Sequence, residues 1–148
     1  MICKRTTSQH PEFIQLDQCL DAELAERDGD EHAFYHQFNS IDSLQNCIVL
    51  YNGSEAVGCG AIKTYDHTTV EVKRMYVTNT QRGKGLATQV LMHLEAWATE
   101  LGFQRCALET GIRQPEAIAL YKKNGYHQIP NYGQYIDVEN SVCFEKLL

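Results

Sequence analysis

A chain of 148 residues with 43% hydrophobic composition has the usual size of one globular domain, expected here over residues 1–148, and is long enough to bury most of its apolar surface. Its formal charge of -6 argues against a nucleic-acid-coating role, which depends on lysine and arginine neutralising phosphates, and suits cationic partners better. The longest apolar runs are far too short to span a bilayer, and "MICKRTTSQHPEFIQ" lacks the apolar centre of a secretory leader, so the expectation is a soluble, cytoplasmic protein with no nucleic-acid or membrane partner.

In chain order, "MICKRTT" reads as a first strand, followed by a helix over "PEFIQLDQCLDAELAERD" with Pro11 near its start and Phe13, Leu16, Leu20 and Leu24 at helical spacing. A shorter helix is expected around "EHAFYHQF". "NCIVLYNGSEAVGCGAIKTYD" reads as two strands joined at Asn52-Gly53, a strong hairpin signal, and "TTVEVKRMYV" as a third strand antiparallel to the second. A helix from about Gly83 to Glu100 carries Leu86, Val90, Leu91, Leu94, Ala98 and Leu101 at three-to-four-residue intervals, with Gly102 placed to stop it. "FQRCALET" is a buried strand. "QPEAIALYKKNGY" is a helix with Pro115 in its first turn and Asn124-Gly125 as its cap, and strands near "YHQI" and "SVCFEKLL" complete the chain. Strand, helix, strand between residues 70 and 109 makes a βαβ unit, so the fold class is α/β or α+β: a mixed, mostly antiparallel sheet flanked by helices.

The six cysteines (Cys3, Cys19, Cys47, Cys59, Cys106, Cys143) are scattered and include no CxxC pair, which suits reduced thiols better than a disulfide framework. His32 and His36 stand one helical turn apart, but "HAFYH" lacks the carboxylate a zinc-hydrolase helix needs, and no metal site is expected.

The most informative stretch is "KRMYVTNTQRGKGLATQVLMHLE". A helix start presents unpaired N–H groups and a partial positive charge, Gly83 and Gly85 remove the Cβ atoms that would keep an anion from those amides, and Arg82 and Lys84 add charge. A phosphate cradle and a mere tight turn both fit these residues. A Walker loop is excluded by Thr78 and Gly85, and a dinucleotide fingerprint by Thr88.

"VEVKRMYV" followed by "QRGKGLA" resembles the acyl-CoA-binding motif of the GNAT superfamily, the Gcn5-related N-acetyltransferases, whose Arg/Gln-x-x-Gly-x-Gly/Ala pattern is met by Arg82, Gly85 and Ala87. "LETGIRQPEAIALYKKNGY" is similar to the family's later strand and helix, with Tyr121 ahead of Gly125-Tyr126. The resemblance implies an acyl-CoA N-acyltransferase fold whose parallel strands, here ending at Val77 and Glu109, splay to admit acetyl-CoA. It implies that backbone amides of Arg82, Gly83, Lys84, Gly85, Leu86 and Ala87 hold the pyrophosphate. The main chain of Met75, Tyr76 and Val77 would pair with the pantetheine arm, and Gln114, where the family often has asparagine, would reach that arm.

By the same resemblance, the activity expected is direct transfer of an acetyl group from acetyl-CoA to a primary amine of a small molecule in a ternary complex. Such an amine, with a pKa of about 10.4, is neutral in roughly one molecule in two to three thousand at pH 7, so a base has value. Glu71 is the first candidate and Glu109 the second; the competing reading of Glu71 is an exposed strand residue paired with Lys73 or Arg74. The Val77 N–H is the expected donor to the carbonyl oxygen, and Tyr121 the expected acid toward the CoA sulfur. Tyr35, His36, Tyr132 and Tyr135 are candidates for the acceptor side. Cys106 and Cys143 have no histidine placed beside them by the sequence, so a cysteine nucleophile is not expected. An acyl-CoA-binding module without turnover, and acetylation of a protein or peptide amine, are the alternatives; monomer and homodimer both stay open.

Overall fold

A computed structural model describes residues 1–29 and 44–148. The short helix expected around "EHAFYHQF", with His32, Tyr35 and His36, lies outside the described residues. Elements run in the order β1 (Ile2–Thr6), α1 (Pro11–Asp28), β2 (Asn46–Asn52), β3 (Glu55–Thr64), β4 (Thr69–Val77), α2 (Leu86–Glu100), β5 (Arg105–Gly111), α3 (Pro115–Lys123), β6 (His127–Ile129) and β7 (Ser141–Leu147). Single 3-10 turns occupy Asn79–Gln81 and Gly133–Tyr135.

Among the described residues the strands form one seven-stranded sheet in the order β1-β2-β3-β4-β5-β7-β6. All neighbours are antiparallel except β4 and β5, the parallel pair that α2 connects. β7 inserts between β5 and β6, a placement that chain order does not reveal.

The sheet is covered on both faces, which explains why β2 contains an unbroken apolar run instead of an alternating one. Its Ile48 and Leu50 pack with Val90, Leu91 and Leu94 of α2 and with Phe144 of β7. Its Cys47 and Val49 point the other way, toward Phe13 and Leu16 of α1. Helix α1 starts at Pro11, whose missing N–H costs nothing in a first turn, and buries Phe13, Leu16, Leu20 and also Asp17. Leu24 is only half buried and lines a cleft.

Two local differences from the sequence expectations matter for the site. Helix α2 begins at Leu86, because Gly83 and Gly85 both stand at φ 78° in a left-handed turn that precedes the helix. Leu101 lies beyond the last helical residue and is 49% exposed, so it does not extend the buried stripe. Strand β4 is also irregular: between the pairs Cys59↔Tyr76 and Ala61↔Lys73, two residues of β4, Arg74 and Met75, oppose Gly60 alone. This is a β-bulge, with Arg74 in the left-handed region at φ 59°.

Candidate active site

Strands β4 and β5 pair only through Thr69↔Arg105, Val70↔Cys106 and Glu71↔Ala107. β4 then continues to Val77 with no β5 partner, while β5 from Leu108 to Gly111 stays paired to β7 alone. The expected splay is therefore present, and it begins at Glu71.

The free edge of β4 can be oriented from its hydrogen bonds. Thr78 N–H donates to Val57 O of β3 at 2.9 Å. Alternation along a strand turns the N–H and C=O of Val77 to the opposite edge, and Val77 O there accepts from Arg82 Nε at 2.9 Å. The Val77 N–H consequently faces the splay.

Two chambers occupy this opening. The larger, about 490 Å³, runs from Gly83, Gly85, Leu86 and Ala87 at the start of α2, along Met75–Val77, to Gln114 and Tyr121. The smaller, about 130 Å³, is lined by Glu71, Lys73, Glu109, Thr110 and Tyr135. Leu20, Met75, Gln114, Ala117 and Tyr121 line both, so Tyr121 stands where they meet.

The glycine turn suits an anion. Among the described residues the N–H groups of Gly83, Lys84 and Gly85 donate to no backbone carbonyl, and a Cβ built on either glycine would meet nothing within 4 Å. The side chains depart from expectation. Arg82 donates to Glu23 of α1 at 2.9 and 3.1 Å and lies over the Tyr76 ring at 5.4 Å, so its charge is largely committed within the protein. Lys84 Nζ bonds Gln81 Oε1 at 3.1 Å on the surface. An orphaned donor elsewhere in the cleft points the same way: Gln114 is 9% exposed, and its Nε2 has no hydrogen-bond partner among the described residues. These features fit a phosphorylated ligand that carries carbonyl groups.

In the smaller chamber Glu71 is 6% exposed, which overturns the exposed-strand alternative, although the pairing with Lys73 in that alternative is present at 3.5 Å. Glu71 Oε2 also accepts from the Tyr132 hydroxyl at 2.6 Å. Burial pushes the Lys73 ammonium below its ordinary pKa against the opposing pull of Glu71. Burial raises the pKa of Glu109 to about 7, opposed by the hydrogen bond from Ser141 Oγ at 2.6 Å and by Lys73. Burial likewise raises Tyr121, which packs edge-on against Tyr126 at 5.7 Å. Tyr135 lines the chamber, and Tyr132 packs edge-on against it at 5.7 Å. Cys106 and Cys143 are fully buried thiols pushed up to about 11, unsuited to act as thiolate nucleophiles near neutrality.

Sequence reasoning missed Arg74 and Asp17, which hold the bulge against α1. The Arg74 guanidinium bonds the Asp17 carboxylate, and reaches Asp21 Oδ1 at 2.7 Å. The available signals were "KR" in the middle of an apolar strand and an aspartate on the apolar side of α1.

The acetyltransferase (GNAT) family model matches residues 12–126, which include α1, the splayed strands, the glycine turn and Tyr121. The chain belongs to that family. Among curated relatives, the uncharacterised N-acetyltransferase YsnE of Bacillus subtilis is 35% identical over 100 residues, 66% of this chain and 66% of YsnE, so the match spans just under two thirds of that relative. A structure from Klebsiella pneumoniae, provisionally named an acyl-CoA N-acyltransferase, superposes with TM-score 0.84 at 32% identity over 99% of this chain and 97% of its own. A GNAT family acetyltransferase from Elizabethkingia anophelis, solved with acetyl-CoA bound, shares the fold at TM-score 0.69 and 17% identity, covering 99% and 97% of the two chains. The mixed sheet with its splayed parallel pair is thus the GNAT fold. Among the described residues no helix is long and apolar enough to cross a membrane, and no cluster of His, Cys, Asp or Glu side chains has the makings of a metal site.

Proposed function

We propose that this protein transfers an acetyl group directly from acetyl-CoA to a primary amine of a small molecule, with both substrates bound together. The observation that carries the reading is the junction at Tyr121. One chamber leads from there to the amides of the glycine turn, and the other to a carboxyl whose pKa is pushed up to about 7. Acetyl-CoA supplies an acetyl thioester activated toward amines.

The amides from Gly83 through Ala87 would hold its pyrophosphate, assisted by Lys84 and the positive end of α2, the Arg82 N–H expected to join them being turned to Asn79 O at 3.4 Å. The edge of β4 at Met75, Tyr76 and Val77 would pair with the pantetheine arm as an added strand would. Gln114 would donate to that arm.

On the acceptor side the two carboxyls divide the work. Glu71, held by Lys73 and Tyr132, anchors the incoming ammonium, and Glu109 takes its proton. Neutralising an alkylammonium at pH 7 costs about 4.6 kcal/mol, and a base with a pKa near the working pH is the most effective one. This reverses the order of preference that position along the strand suggests. The Val77 N–H, which faces the splay, would donate to the carbonyl oxygen as it gains charge; the Tyr121 phenol, kept protonated by burial, would give its proton to the departing sulfur as the C–S bond breaks and regain one from the nitrogen that has added to the carbonyl carbon. A chamber of about 130 Å³ suits a small amine.

Acetyl-CoA consumption against a panel of amines tests the reading, with Glu109→Gln and Tyr121→Phe alongside the wild type. Loss of turnover by about a hundredfold or more with CoA binding retained is the expected result. CoA binding without turnover for any amine would overturn it in favour of a binding module.

A further inference from the structure

Helix α1 reaches both banks of the larger chamber with residues one turn apart. Glu23 holds Arg82 of the glycine turn at 2.9 and 3.1 Å. Arg27 reaches the start of α3, where Nη1 donates to Gln114 Oε1 at 2.9 Å and to Glu116 Oε2 at 2.8 Å. The pair with Glu116 lies at the surface, the glutamate side chain being 69% exposed, and contributes little to stability.

The bond to Gln114 has a different consequence. A carboxamide presents an acceptor on one side and a donor on the other, and a flip exchanges them. Arg27 can only donate. It therefore fixes Oε1 toward α1 and leaves the Nε2 hydrogens on the other side of a residue that lines both chambers. That amide nitrogen is buried and unpartnered among the described residues, a costly state unless a ligand brings an acceptor.

We propose that Arg27 is a positioning residue for the cofactor arm: it holds the Gln114 amide so that its N–H donors meet a carbonyl of the pantetheine segment. This rests on the acyl-CoA reading of the cleft. The segment carries amide carbonyls, whereas the phosphoadenosine end of the ligand has none. Arg27 therefore matters for ligands that have the arm and not for those that lack it.

Calorimetric titration of the wild type, Arg27→Met and Gln114→Glu with coenzyme A, and separately with adenosine 3′,5′-bisphosphate, tests this. Arg27→Met and Gln114→Glu should each weaken coenzyme A by about three- to tenfold and change the armless nucleotide by less than about twofold, the double variant being no worse than the weaker single. Equal weakening of both ligands by Arg27→Met, or no change in coenzyme A, would overturn the positioning role alone. A wild type that binds neither ligand would overturn the acyl-CoA reading beneath it. Thermal melts establish that the variants fold; should Arg27→Met not fold, Arg27→Gln, whose amide can accept as well as donate and so no longer dictates which way Gln114 turns, supports the same comparison with the same overturning result.

Discussion

Ser141 Oγ donates at 2.6 Å to Glu109 Oε2, joining the first residue of β7 to the carboxyl at the mouth of the splay. The bond favours the charged form and burial the neutral one; burial prevails, and the pKa stands at about 7. If Glu109 takes the acceptor's proton, kcat/KM for the amine should rise with pH across a limb near 7, before the amine's own titration. Ser141→Ala removes a bond to the charged form and should move that limb to higher pH. A limb that stays in place in Ser141→Ala assigns the titration to another group.

The same shift predicts a stability profile. Folded Glu109 binds its proton more tightly than the unfolded chain does, with the pKa raised from 4.5 to about 7. Across that window the folded state carries the extra proton, so the contribution of this group is fully present below pH 4.5 and is lost as pH rises through 7. Glu109→Gln has no charge to bury. Urea denaturation should find the variant more stable than the wild type at pH 8, by up to about 3 kcal/mol, and close to it near pH 4.5. An equal offset at both pH values would place the cost in packing instead.

Legibility in the sequence followed the range of the interactions. Pro11 and the spacing of Phe13, Leu16 and Leu20 are local signals, and α1 spans Pro11–Asp28 as they predict. The Asn52-Gly53 turn joins β2 to β3, and Gly102 follows α2, for equally local reasons. The bulge at Arg74 depends on Asp17 and Asp21 of α1, and the position of β7 on pairings with two strands, none of which a local window contains. In the candidate site the glycine turn was legible as a motif. The raised pKa of Glu109, on which the proposed preference for it over Glu71 rests, was not, because it depends on burial and on Ser141, a residue from another strand.

Arg74 joins α1 to the segment that would receive the cofactor arm, and its pair with Asp17 is buried, the two side chains being 2% and 8% exposed. Arg74→Ala leaves Asp17 charged without that partner and should cost about 3–5 kcal/mol in urea denaturation. Arg74→Gly also releases the left-handed strain and should cost roughly 1 kcal/mol less than Arg74→Ala. Arg5, whose pair with Glu100 is 45% and 59% exposed, provides the contrast: Arg5→Ala should cost less than about 1 kcal/mol. Similar losses for Arg5→Ala and Arg74→Ala would show that burial of the Arg74 pair carries no special weight.

Gly85 and Gly102 separate backbone strain from ligand approach. Both adopt left-handed backbone, at φ 78° and 91°, and a Cβ on either meets nothing within 4 Å, so alanine at each should cost a similar 1–2 kcal/mol or so in unfolding experiments. Their surroundings differ: Gly85 lines the larger chamber beside the first amides of α2, whereas Gly102 lies past the far end of that helix. On the proposed binding mode, a methyl group at Gly85 would stand where the phosphate approaches those amides. Gly85→Ala should therefore weaken coenzyme A by at least about tenfold, the equivalent of one charge-assisted hydrogen bond, while Gly102→Ala binds as the wild type does. Equal coenzyme A affinity in the two variants would remove the glycine turn from the binding site, because strain common to both would then be the whole effect of the substitution.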